Sequence, residues 1–235
     1  LASVKRKNGQ VPGSVESAKL YQEQYRGSPA EQYLTARGLG EGAEKWLPGY
    51  VGDSVEVGHE KYRSHLVIPY LRPAGIKFIS TVRFRCIRDE CVKDSDGVFH
   101  FLKGQKEQHG THSKYMSLPA DTPRLYNTSA LITPSPYVAI AEGEFSAWAV
   151  ELDGIPCPAL QGVSAWKEHF TRAFAGYEKV FLLGDGDEAG QKMNEKLSSL
   201  LPNGVPVELP ATSDPDSLRR EQGDGVIRRL LGLEG

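Results

Sequence analysis

In the second half of the chain, short apolar runs alternate with longer stretches whose apolar positions recur at helical spacing. Residues 137–141, 155–160, 179–183 and 205–209 read as strands, with helices at 145–152, 164–174 and 188–201 between them. Strict strand–helix alternation predicts an α/β fold, a parallel sheet with helices on its faces. The first half is patterned differently. Residues 15–25 and 29–37 read as helices, the second with Ser28 as N-cap, Pro29 in its first turn and Gly38 at its end, and residues 44–47 as a shorter one. Residues 66–70 and 77–87 are rich in β-branched and aromatic side chains and predict a hairpin around Arg72-Pro73-Ala74-Gly75. Along its second strand Arg83 and Arg85 share one face and Val82, Phe84 and Cys86 the other. The apolar face is expected in the core and the arginine face free.

These patterns divide the chain into a polar linker (residues 1–14), a smaller α+β subdomain (15–133), an α/β domain (134–217) introduced by Pro134 and Pro136, and a helical tail (218–235). Charge sharpens the division. Residues 61–124 hold 12 Lys and Arg against 6 Asp and Glu, and residues 125–217 hold 5 against 13. A basic subdomain suits a phosphate backbone and an acidic one suits metal. With 39% hydrophobic and 25% charged residues the composition is that of an ordinary globular protein. There is no apolar run of about 18 residues to span a membrane, and the first ten residues lack the apolar core of a signal peptide. A cytoplasmic protein is expected, and three cysteines make no disulfide framework. Opening without Met, the chain is expected to be part of a longer one.

Candidate chemistry sits at the strand ends: Glu142-Gly143-Glu144, Gln161-Gly162, Asp185-Gly186-Asp187 and Asp214-Pro215-Asp216. Side chains at the carboxyl ends of parallel strands face the crevice where ligands bind. A single Asp-x-Asp is commonly a surface turn, but acids recurring after successive strands point to a cation, and oxygen-only donors suit Mg²⁺ or Mn²⁺. The polar segment 88–111 with its flanks carries Cys86, Cys91, His100, His109 and His112. Its spacing lacks a C-x₂-C pair and Cys86 alternates with the core face, so zinc is not expected there.

The ordered set Glu142-Gly143, Asp185-Gly-Asp-Glu-Ala-Gly190 and Asp214-Pro-Asp216 resembles the Toprim domain, in the version found in DnaG-type bacterial primases and phage primase-helicases. The resemblance extends upstream through Tyr33-Leu-Thr-Ala-Arg-Gly-Leu39, Leu66-Val-Ile-Pro69, Lys114-Tyr-Met-Ser-Leu-Pro119 and Leu125-Tyr-Asn127, which are similar to the primases' basic subdomain. It implies a primase core, in a bacterial or phage-infected cell, that makes short RNA primers by metal-dependent nucleotidyl transfer. Glu142, Asp185 and Asp187 would surround the catalytic Mg²⁺ or Mn²⁺, with Asp214 and Asp216 completing the cluster. Arg83 or Arg85, with Lys114, would hold template or nucleotide phosphates. The implied partners are single-stranded DNA, ribonucleoside triphosphates, and a zinc-binding module and replicative helicase in cis or trans, with no membrane. Neither a cysteine-paired zinc module nor a Walker A sequence occurs here. Where the family shows Glu-Gly-x-x-Asp this chain has Ser146, which bears on the number of metals; Glu144 is the candidate to compensate. A Toprim nuclease would use the same acids with water as attacker, and a non-catalytic clamp would only hold nucleic acid. A topoisomerase would need a tyrosine nucleophile on a separate domain, for which there is no room.

Overall fold

A computed structural model describes residues 14–73, 75–110 and 112–233. The expected linker over residues 1–14 lies outside the described residues except for Ser14, as does Ala74 of the hairpin turn. The chain forms two units that divide between Asp121 and Thr122, earlier than the Pro134 boundary expected. The physical reason lies in Leu125 and Tyr126: Leu125 joins the second unit's core, and Tyr126 forms an antiparallel bridge with Ala159.

The first unit comprises α1 (Ser14–Glu23), α2 (Pro29–Ala36), α3 (Ala43–Trp46), β1 (Gly49–Tyr50), β2 (His65–Arg72), β3 (Gly75–Cys86), α4 (Asp89–Val92) and β4 (Tyr115–Ser117). Its antiparallel sheet has the order β1-β2-β3-β4. Ser28 caps α2 as expected, its hydroxyl accepting from the N–H groups of Ala30 and Glu31. α1 packs over the sheet through Ala18 and Tyr21, which meet Val67, Val82 and Phe84, while Tyr62 stacks on Phe84 with ring centroids 3.8 Å apart. β1 and β4 are too short to show an alternating pattern; pairing with β2 and β3 makes them strands.

The second unit comprises β5 (Tyr137–Glu142), α5 (Glu144–Leu152), β6 (Ala159–Leu160), α6 (Thr171–Phe174), β7 (Lys179–Leu183), α7 (Glu188–Leu200), β8 (Gly204–Pro206), α8 (Pro215–Gln222) and α9 (Val226–Leu230). All four strands are parallel, in the order β6-β5-β7-β8. This is the α/β sheet with flanking helices that the alternation predicts. β5 and β7 are central and buried on both faces, which is why they read as continuous apolar runs. Val138, Ile140, Val180 and Leu182 meet Met193 and Leu197 of α7 along with Trp166 and Phe174.

Three expectations shorten, the strand expected at 205–209 being Gly204–Pro206. The strand expected at 155–160 survives as Ala159–Leu160 because Pro156 and Pro158 have no N–H to donate; their carbonyls still accept from Ala139 and Ala141. The helix expected at 164–174 breaks into two 3₁₀ turns and the four-residue α6. The boundary expected between residues 217 and 218 falls inside α8, and α8 and α9 are anchored to the second unit: the buried carboxylate of Asp153 accepts from Arg219 Nε at 3.2 Å, Gly225 N at 2.9 Å and Ile227 N at 2.8 Å.

Candidate functional site

Glu142 is the last residue of β5, and Gly143 follows it at φ +97°, a conformation open to glycine but strained for any other residue. That turn leaves the Glu142 carboxyl half-buried at the carboxyl end of the sheet, with Oε2 buried and no hydrogen-bond partner. Across from β5, β7 delivers the Asp185-Gly186-Asp187 loop. Burial raises the pKa of Glu142, the charge of Asp187 raises it further, and only the backbone N–H of Asp185 opposes them. Among the described residues, the side-chain oxygens of Glu142, Asp185 and Asp187 are not drawn together as a ready-made group of metal ligands.

The loop that presents the two aspartates is clamped. Asp187 caps α7 by accepting from Gly190 N at 2.9 Å, and its own N–H donates to Asp185 O at 2.8 Å. Gly190 lies so close beneath Asp185 that a Cβ there would stand 2.0 Å from the Asp185 carbonyl oxygen, and one on Gly186 would stand 2.0 Å from that of Pro210. Gly186 N donates to Ser213 O at 2.7 Å, tying the aspartate loop to the segment that starts α8.

Asp214 and Asp216 have other work in this structure. Asp214 is the N-cap of α8, accepting from Ser217 N in a reciprocal capping box. Asp216 is buried, with Oδ2 3.1 Å from Arg220 Nη1. Glu144 and Ser146 are both buried in α5. Asp187 and Asp214 are thus both helix N-caps, of α7 and α8, while Glu142 and Asp185 cap no helix.

The arginine face in the first unit corrects an expectation. Arg83 is partly exposed, its guanidinium 4.4 Å from the centroid of the Tyr115 ring. Arg85, two residues on and on the same face, is buried at 1% exposure: it donates to the Tyr33 hydroxyl at 3.0 Å and pairs closely with Glu107. The face is not free at Arg85, because the chain between β3 and β4 folds back over it. Glu107 also receives Arg37 at 3.1 Å, the Tyr33 hydroxyl at 2.5 Å and His109 Nε2 at 3.3 Å, with the half-exposed Lys114 at 3.6 Å. Burial alone would raise the pKa of Glu107, but Arg85, Arg37, Lys114 and the Tyr33 hydroxyl hold it well below the usual carboxylate range. Sequence reasoning missed Glu107 and Arg37; a single acid in a polar run carries no periodic signal.

Residues 140–218 match the Toprim-like family model. Gene 57 protein of Mycobacterium phage D29 is 36% identical over 172 residues, covering 72% of this chain and 99% of that protein. DNA primase of Aquifex aeolicus (strain VF5) is 31% identical over 116 residues, or 47% of this chain, which spans only 23% of that primase's length. The RNA polymerase domain of Mycobacterium tuberculosis primase DnaG, in complex with a double-stranded DNA oligomer bearing a 6-nucleotide overhang, has the same fold: TM-score 0.70 at 18% identity, over 94% of this chain and 78% of that one. No described helix is long and apolar enough to cross a membrane. The Toprim-like match and a phage relative covered almost end to end place the chain in the Toprim family that it shares with that phage protein and with the bacterial DNA primases.

Proposed function

We propose that this chain synthesises short RNA primers on single-stranded DNA, joining ribonucleoside triphosphates with the strand-end acids as its reaction centre. The observation that carries the reading is that Glu142, with its buried unpartnered Oε2, and the clamped Asp185-Gly186-Asp187 loop stand at the carboxyl ends of the neighbouring parallel strands β5 and β7. Glu142, Asp185 and Asp187 are the residues that would hold a divalent cation, and their all-oxygen donor set favours Mg²⁺ or Mn²⁺, which take one or two carboxylates and complete their shells with water and substrate phosphate. When bound, the ion lowers the pKa of the attacking hydroxyl and neutralises charge on the phosphates.

In the transfer, a 3′-hydroxyl oxygen bonds to the α-phosphorus, the bond to the β-phosphate bridging oxygen breaks, and pyrophosphate leaves. The protein's part is position and field. The loop holding Asp185 is fixed by Gly190 and by the Ser213 carbonyl, so its carboxylate would hold a cation, and not the phosphates themselves, without reorganising. A second reading makes Glu142 the base that takes the hydroxyl proton in place of a cation ligand, since burial and Asp187 raise its pKa and a carboxylate bound to a cation does not easily share that role. On the first unit, Arg83 and Lys114 are the side chains we assign to phosphate contacts; Arg85, buried against Glu107, positions the strand beneath them. Asp214 and Asp216 support α8. A zinc module and a replicative helicase would be supplied by further chain or by partners.

The test is incubation with single-stranded template, labelled ribonucleotides and Mg²⁺ or Mn²⁺. New oligonucleotide that disappears in Asp187→Asn supports the reading. Asn caps a helix as well as Asp does, so that variant keeps α7 while removing the charge. Degraded template would instead mark a nuclease, and retention without product a clamp.

A further inference from the structure

Among the described residues, one group of three or more His, Cys, Asp and Glu brings its ligand atoms together, and it is not the acid group of the second unit. Cys86, Cys91, His109 and His112 each offer one atom, and these atoms all lie within 4.8 Å of one another. We infer that these four residues form a structural zinc site in the first unit, separate from the strand-end acids and independent of the primase reading.

The geometry fits. His112 Nε2 lies 3.1 Å from Cys86 Sγ and 3.6 Å from Cys91 Sγ. With Zn–S near 2.3 Å and Zn–N near 2.0–2.1 Å, a tetrahedron has ligand-to-ligand edges of about 3.3–3.8 Å, so the four atoms need only small side-chain rotations to close on one ion. His109 supplies a second sign. Its Nε2 is 3.3 Å from the Glu107 carboxylate, while Nδ1 is buried with no hydrogen-bond partner. A histidine with one nitrogen on a carboxylate and the other on metal is the usual supported ligand arrangement, in which the carboxylate fixes ring orientation and basicity. His100, by contrast, faces Gln105 at 3.0 Å and belongs to no group of ligands.

The backbone explains how distant residues meet. Cys86 ends β3 and Cys91 lies in α4 just after it; the returning chain crosses back where Gln108 N donates to Cys91 O at 2.8 Å and Cys86 N donates to Lys114 O at 3.0 Å. Those two bonds bring His109 and His112 beside the sulfurs. The spacing C-x₄-C-x₁₇-H-x₂-H departs from the common paired pattern, and that, with Cys86 alternating on the core face, is why the sequence argued against zinc here. Two thiolates and two imidazoles favour zinc among common cellular ions, and four protein ligands leave no open position for catalysis. The ion would staple the end of β3 to the return of its own loop. Through His109 it would also steady Glu107, and with it Arg37, Arg85 and Lys114.

The test uses the full chain, stripped with a chelator under reducing conditions and then titrated with Zn²⁺ or Co²⁺. With Mg²⁺ in excess to occupy the strand-end acids, the expected result is one equivalent per chain, with Co²⁺ giving the visible bands of a tetrahedral thiolate centre, bleached by added Zn²⁺, and a thermal midpoint that falls on stripping and recovers on reloading. Cys91→Ser and His112→Ala should lose the bands while Cys157→Ser keeps them. Wild-type protein that is folded yet takes up no stoichiometric metal and shows no thiolate bands overturns the assignment, whatever the variants do. So does a Cys91→Ser or His112→Ala protein that binds as the wild type does.

Discussion

Arg83 and Arg85 stand two residues apart on one strand face and have opposite environments. Arg85 is a buried cation whose charge is balanced by Glu107, whereas Arg83 reaches solvent beside the Tyr115 ring. Breaking a buried pair costs about 3–5 kcal/mol when the other charge is left alone; with Arg37 and Lys114 still beside Glu107, Arg85→Ala should lower unfolding stability by an amount at or below the lower end of that range. Arg83→Ala should change it by less than about 1 kcal/mol, most of it lost stacking on Tyr115. Urea denaturation with an unchanged m-value would show both, and an Arg85→Ala protein as stable as wild type would return Arg85 to the phosphate-binding face that alternation alone implies. Asp214 separates cap from ligand in the same way: Asp214→Ala should cost about 0.5–2 kcal/mol, Asp214→Asn almost nothing. Loss of divalent-metal affinity in the stable Asn variant would make Asp214 a ligand after all. At this scale the sequence is legible in residue type and position, since strand-end acids are visible by inspection. Partners such as Glu107 for Arg85 are not, because they are set by where a loop returns.

Elements divide by how much of their stability is local. β5 and β7 are legible as apolar runs because both faces are buried, and α7 because its Asp187 cap and its Met193 and Leu197 positions agree on one face. β6 and α6 come out shorter than their patterns imply where prolines and 3₁₀ turns intervene, and β1 and β4 are invisible because only pairing makes them strands. The turn after β7 is the element on which the site depends. With Gly190 already touching the Asp185 backbone, Gly190→Ala must displace the loop, and primer synthesis should fall by at least tenfold even if α7 stays helical by circular dichroism. Wild-type activity in that variant would mean the Asp185 position is not critical. The C-terminal helices depend on a different contact: Asp153→Ala strips the acceptor from Arg219 and from two backbone N–H groups at once. A loss of about 3–5 kcal/mol is expected, with α8 and α9 the first segments to lose hydrogen-exchange protection. Retained protection there would show that α8 and α9 are held by apolar packing alone.

For the molecule as a whole, the asymmetry of charge, 12 basic against 6 acidic residues over 61–124 and 5 against 13 over 125–217, is legible in residue order alone, as is the ordered set of motifs. Residue order leaves open which cations are available to nucleic acid, and burial narrows them. Arg83 and Lys114 remain at the surface while Arg37 and Arg85 are committed to Glu107. Template binding through phosphates releases counterions, so each contact removed should reduce the slope of log affinity against log salt by about 0.7 for a single strand. Arg83→Ala and Lys114→Ala should each flatten the slope by that amount and leave divalent-metal titration unchanged. Asp185→Asn should do the reverse, ending synthesis while sparing or strengthening DNA retention, because a charge that repels phosphate has gone. Filter binding at several salt concentrations, run beside primer synthesis on the same proteins, reads both quantities. If the Arg83 and Lys114 variants keep the wild-type slope, the β3–β4 face is solvated surface and the template is held by other residues. If Asp185→Asn weakens retention instead, the acids hold template through a cation even before a nucleotide arrives, and binding and catalysis are not divided between the two units.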